Sequence, residues 1–240
     1  MHFTSEKSLD DVVLEREFTI GDIPGILWTP SSSPAPLILM GHPGGLRTMY
    51  PRLVGRARQS AANGFATATI ELPGAGDRSP LAAAEQARAD LRHALSAGEP
   101  VEEIVDRLIL PLVQKAVPEW QGLLDALLAL PTIGGAVGYS GGVMAIGIRL
   151  ALVEPRIAAA GFFAGSFVPR AMFEEARRIT IPLHVLLQWD DKGNDRQLAL
   201  DLFDAFGSQE KTLQANLGGH TGVPQFASDD ATRFFIRHLR

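Results

Sequence analysis

The stretch "GAVGYSGGVM" (residues 135–144) decides how this chain is read. A short apolar, Gly-rich run leads to Ser140, with Gly138 two residues before it and Gly141 and Gly142 directly after it. This is the G-x-S-x-G pattern of a sharp strand-to-helix turn that holds a serine hydroxyl up for attack. Small neighbours are needed because strand and helix pass each other closely at such a turn. The serine is expected in a strained backbone conformation. The helix starting behind it is expected to present free N–H groups and a positive dipole end to a developing oxyanion.

Outward from this point, strand-like and helix-like segments alternate. "PLILMG" (36–41), "FATATIEL" (65–72), "GGAVGY" (134–139), "IAAAGFF" (157–163), "IPLHVLLQW" (181–189) and "KTLQAN" (211–216) read as strands, most of them apolar enough to be buried on both faces. "VVLEREFTI" (12–20) and "GILWTP" (25–30) read as an antiparallel opening pair. Helices are expected over 50–64, 82–97, 101–130, 141–153, 170–178, 195–206 and 225–239, with Pro111 and Pro118 breaking or kinking the third. Strand–helix alternation implies an α/β fold: a mostly parallel sheet of about eight strands with helices on both faces. Sites in such folds lie at the carboxyl ends of the strands.

Bulk properties narrow the function. With 240 residues the expectation is one domain spanning 1–240, and 46% apolar and 20% charged residues are ordinary for a globular chain. The formal net charge is -5, and no Lys/Arg run marks a nucleic-acid partner. There is no cysteine, which excludes disulfides, thiolate metal sites and a cysteine nucleophile and fits a reducing, cytoplasmic setting. The polar start "MHFTSEKSLDDVVLEREF" (1–18) lacks the apolar segment of a signal peptide, and no apolar run is long enough to span a membrane. His2 falls in this polar terminal segment, to which no element is assigned.

A serine nucleophile needs a base. His220 stands in the Gly-rich loop "NLGGHTGVPQF" (216–226) after the last strand, where the flanking glycines leave room for an imidazole to lean over the sheet edge. His93 and His238 lie on expected helices, and His184 lies inside a strand. The base needs a carboxylate to hold its tautomer. "LLQWDDKGND" (186–195), after the preceding strand, offers Asp190, Asp191 and Asp195. The chain order serine, aspartate, histidine differs from that of the chymotrypsin and subtilisin types.

From "PLILMGHPGG" (36–45) to "GGHTGVP" (218–224) the chain resembles an α/β-hydrolase. The resemblance puts the catalytic acid on Asp191, with Gln188 standing where relatives have glycine. It also implies an oxyanion hole from the backbone amides of His42 and Gly141. "ELPGAGDRSP" (71–80) resembles a loop of the family whose expected role is a structural turn. Fewer than about twenty residues separate the strand ending near Phe163 from the next, so no large lid domain is expected. This compact layout is similar to the dienelactone-hydrolase-like branch, with a serine in place of that branch's cysteine. The segment 73–118 reads as a helical excursion placed to cover the site in part. Leu46, Tyr139, Phe163, Trp189 and Phe226 are the expected pocket residues, forming an apolar acyl or alcohol site. The resemblance implies a serine hydrolase of small carboxylic esters that needs no metal or organic cofactor. A thioesterase, amidase or peptidase would use the same triad. A hydrolase-fold binding protein without turnover is the alternative of another class.

Overall fold

The computed structural model describes residues 1–240. Nine strands form one sheet in the order β1-β2-β3-β5-β4-β6-β7-β8-β9. They are β1 (His2–Ser8), β2 (Val13–Ile20), β3 (Ile23–Pro30), β4 (Ala35–Gly41), β5 (Ala66–Ile70), β6 (Ile133–Gly141), β7 (Ile157–Phe163), β8 (Leu183–Gln188) and β9 (Lys211–Asn216). The first three are antiparallel to their neighbours, and β5, β4, β6, β7, β8 and β9 run parallel. The helices are α1 (Leu46–Ala62), α2 (Ala82–Ala97), α3 (Glu102–Leu128), α4 (Met144–Val153), α5 (Met172–Ala176), α6 (Arg196–Ala205) and α7 (Gln225–Leu239).

The parallel strands alternate between two apolar faces, so each must be covered. Helices α1 and α7 cover one face, packing Leu53, Ala57, Phe235 and Leu239 against Ile38 and Met40. Helices α3, α4, α5 and α6 cover the other, around Trp120, Leu123, Tyr139, Phe162 and Phe206.

The mostly parallel sheet agrees with the expected layout and has one strand beyond the eight read from the sequence, because residues 2–8 pair antiparallel with β2. This edge strand shows no apolar alternation since almost all its side chains are exposed. Backbone pairing and the packing of Phe3 on Phe18 hold it. One expectation is corrected: helix α3 runs unbroken through Pro111 and Pro118. Its buried stripe, including Val105, Ile109, Val113, Val117, Trp120 and Leu124, outweighs the lost N–H bonds.

The loops that matter for function all leave carboxyl ends of neighbouring strands. Residue 42 follows β4, Ser140 lies at the end of β6, Asp190 and Asp191 follow β8, and His220 follows β9.

Candidate active site

Strand β6 does not turn at Ser140. The ladder continues through it, with Ser140 paired to Met40 on β4 and to Gly161 on β7. No residue other than glycine has a positive φ, so the serine is not in the strained conformation expected from the motif. The reversal falls on Gly141 (φ 78°) and Gly142 (φ 76°), and α4 begins only at Met144. Two consecutive glycines make the left-handed turn without steric penalty, so the serine keeps strand geometry.

Strand alternation then sets where the hydroxyl points. Tyr139 faces α3 and is buried against Trp120 with ring centroids 5.9 Å apart. Ser140 faces the opposite layer, the α1/α7 side. Gly138 shares that side, and a Cβ there would stand 2.8 Å from Leu239 Cδ1 and 2.9 Å from Phe235 Cε1. The glycine two residues before the serine thus admits α7 rather than α4. The Ser140 hydroxyl accepts a hydrogen bond from Nη2 of Arg56 on α1 at 3.0 Å, not from the N-terminus of α4. The first amide of that helix, Met144 N–H, donates to Ser166 Oγ at 3.3 Å.

His220 and Asp191 meet directly. Nδ1 of His220 lies 2.7 Å from Oδ2 of Asp191. The aspartate side chain is only 4% exposed, and its other oxygen accepts the Gly193 amide at 3.0 Å. An ionised carboxylate on Nδ1 leaves the proton there and directs Nε2 outward as an acceptor. The imidazole and the Phe163 ring pack edge to face, centroid to centroid 5.4 Å. No hydrogen bond joins His220 to Ser140, although both line one cavity of about 900 Å³.

The three aspartates of the β8 loop have separate partners. Asp190 accepts the Gly218 and Gly219 amides, each at 2.9 Å, and so ties down the loop that carries His220. These amide bonds, that of Gly219 foremost, hold the Asp190 carboxyl below its ordinary range. Asp195 caps α6, accepting the Leu198 amide at 3.1 Å. Gln188 donates to the Gly219 carbonyl at 2.8 Å and supports the same loop.

His42 and Gly141 both line the cavity. The His42 ring is buried, with Nε2 at 2.9 Å from the Ile70 carbonyl. Burial holds its pKa below the ordinary histidine value. A neutral ring facing a carbonyl must carry its proton on Nε2, so this imidazole donates to Ile70. The "ELPGAGDRSP" segment is a turn in which the buried Glu71 carboxylate accepts the Leu46 amide at the start of α1, at 2.9 Å. Arg78 fastens this turn to Glu119 of α3 at 2.6 Å.

Of the expected pocket residues only Phe163 lines the cavity. Leu46 is buried in the α1 core, and Tyr139 points into the other layer. Trp189 is exposed, its ring under the Arg196 guanidinium at 4.3 Å, and Phe226 is exposed on the first turn of α7. No residue of 73–118 touches the cavity either, because α2 and α3 lie on the opposite face of the sheet. The polar side chains on its wall include Arg52, Arg56 and Gln59 from α1, His184 from β8, and Gln225 and Arg233 from α7. Local sequence does not mark these residues. Those on α1 and α7 flank the buried stripes of amphipathic helices.

No protein-family model matches the chain, and no curated protein matches it in sequence. Solved structures do resemble it. A cold-adapted esterase from an Arctic intertidal metagenomic library, in a PEG-bound complex, is similar with a TM-score of 0.77 and 23% identity, over 100% of both chains. An acetyl xylan esterase from a Paenibacillus species gives 0.65 and 15% identity, over 99% of this chain and 88% of that one. Acetyl xylan esterase 1 from a Thermoanaerobacterium species gives 0.64 and 12% identity, over 98% and 87%. The chain has the α/β-hydrolase fold, without a large lid.

Proposed function

We propose that this protein is a serine hydrolase of small carboxylic esters, acting through an acyl-enzyme. The observation that carries the reading is the buried Asp191 carboxylate held 2.7 Å from His220 Nδ1, with that imidazole and the Ser140 hydroxyl on the wall of one cavity. The esterases among the similar structures support an ester as the substrate class.

In this reading His220 Nε2 takes the Ser140 proton as Oγ attacks the ester carbonyl. Asp191 keeps the other ring proton on Nδ1 and stabilises the imidazolium. The carbonyl electron pair moves onto oxygen, where the His42 and Gly141 amides are the proposed donors. Collapse expels the alcohol, which takes its proton from His220. Water then repeats the sequence on the acyl-enzyme. On binding of substrate Oγ turns toward Nε2. Catalytic hydrogen bonds are often long or unmade in an empty site and tighten when substrate binds.

A fluorophosphonate probe, which labels only an activated serine, tests the reading together with a panel of ester, thioester, amide and lactone substrates. Labelling and ester turnover are expected in the native protein. Both should be lost in Ser140→Ala, with turnover down by as much as about a million-fold. Labelling that persists in Ser140→Ala, or turnover near normal, would remove Ser140 from the mechanism.

A further inference from the structure

Arg56 is the one cation that touches the candidate nucleophile. Its Nη2 donates to the Ser140 carbonyl and to Ser140 Oγ, each at 3.0 Å, and its Nη1 donates to the Gly41 carbonyl at 3.3 Å. The guanidinium therefore bridges the carboxyl ends of β4 and β6 and reaches the serine hydroxyl from the same group. It has no carboxylate partner, unlike Arg78 with Glu119, Arg149 with Glu175 and Arg156 with Glu154. Burial lowers its pKa, and the like charge of Arg52 one turn away adds to the effect. A partly buried cation without a counter-ion carries an uncompensated desolvation cost. Tying two carbonyls to a helix requires only a neutral donor, so structure alone does not account for the charge. The backbone makes room for it. A Cβ on Gly141 would stand 3.2 Å from Nη1 and 3.3 Å from Nη2 of Arg56.

We propose that Arg56 is a catalytic residue: its guanidinium donates to Ser140 Oγ and stabilises the negative charge that gathers there during acyl transfer. This rests on Ser140 being the nucleophile. A donor fixed on the charged form of a group favours that form. A preorganised cation aimed at a reacting atom acts without the reorganisation that solvent would need. Proton traffic is unchanged. The Oγ–H bond breaks toward His220, the Oγ–carbon bond forms, and the leaving alcohol takes the proton back. Arg56 exchanges no proton.

The test compares Arg56→Gln, Arg56→Lys and Ser140→Ala with the native protein, each checked for folding by thermal unfolding. The readouts are kcat and KM on an ester and the second-order rate of fluorophosphonate labelling. Loss of one such donor is expected to lower kcat and the labelling rate in Arg56→Gln by roughly 100- to 1000-fold, with KM within a few-fold. Arg56→Lys should fall by at least about tenfold, because one ammonium cannot span both carbonyls and Oγ. Native-like rates in Arg56→Gln, beside an inactive Ser140→Ala, would reduce Arg56 to a structural tie and leave the nucleophile in place. If Arg56→Gln does not fold, Arg56→Lys decides, and a native rate there overturns the proposal. Absence of any Ser140-dependent turnover or labelling in the native protein would overturn the hydrolase reading, and this proposal with it.

Discussion

Asp191 Oδ2 lies 2.7 Å from Nδ1 of His220, while its neighbour Asp190 turns away to accept the Gly218 and Gly219 amides. Adjacent side chains after a strand diverge, so the two carboxylates cannot share one task. One faces the imidazole and the other faces the backbone of the loop that carries it. Asp191→Asn should therefore lower turnover by up to about four orders of magnitude through loss of the correct imidazole tautomer. Asp190→Asn removes the charge but keeps an amide-accepting oxygen, so turnover should change less than about tenfold while amide exchange in residues 218–220 speeds up. Kinetics and hydrogen exchange on the purified variants check both. A large loss in Asp190→Asn beside a native Asp191→Asn would move the acid one residue back.

The two histidines at strand ends separate in the same way. His220→Ala should approach the loss expected on removing the serine, because the two residues act as a unit. His42→Ala should lower stability by about 1–3 kcal/mol, leaving the Ile70 carbonyl without its donor, with a much smaller loss of turnover. Urea unfolding and kcat of the two variants decide. The reverse ranking of turnover would make His42 the base.

Burial holds both His42 and His184 below their ordinary value of 6.5. In the unfolded chain they take up protons near 6.5; in the folded chain they do so only at lower pH. Their contribution to stability is complete above 6.5 and declines as pH falls below it. The thermal midpoint should drop between about pH 7.5 and about pH 5.5, and His42→Gln should flatten that slope. An unchanged slope in the variant would mean that the buried ring does not titrate with unfolding.

Glycines differ in what they allow. Gly142 has φ 76°, and a Cβ there would fall 2.7 Å from Gly41 backbone atoms, so Gly142→Ala should cost about 2 kcal/mol or more. Gly122, within α3, has open space around it, and Gly122→Ala should stabilise by about 0.5–1 kcal/mol. Denaturant unfolding of the pair checks the contrast. Equal effects would mean that the approach of β4 to the 141–142 turn is not close in solution.

Periodicity in the sequence was sufficient for the layered α/β layout. Strands buried on both faces must be apolar throughout, and covering helices must carry a stripe, so local composition records the fold. The pairing of Asp191 with His220 was legible from the resemblance and the chain order, though the strand order was not. Both residues follow adjacent parallel strands, β8 and β9, and Gly-rich or acidic loops mark those ends. Strand β1 escaped because an edge strand exposed on both sides needs no apolar pattern.

What the tertiary structure alone decided was direction. The G-x-S-x-G string does not say which residue takes the left-handed turn. Gly141 and Gly142 absorb it, Ser140 keeps the strand's alternation, and the hydroxyl turns to the α1 layer. The same alternation sends Tyr139 into the opposite core and takes it out of the pocket. Arg56 reads as a surface residue of an amphipathic helix until α1 is laid across the ends of β4 and β6. Residues 84 positions apart in sequence then share a 3.0 Å hydrogen bond. A local pattern records burial and turn chemistry, which depend on near neighbours, whereas contacts between distant elements arise only when the sheet packs.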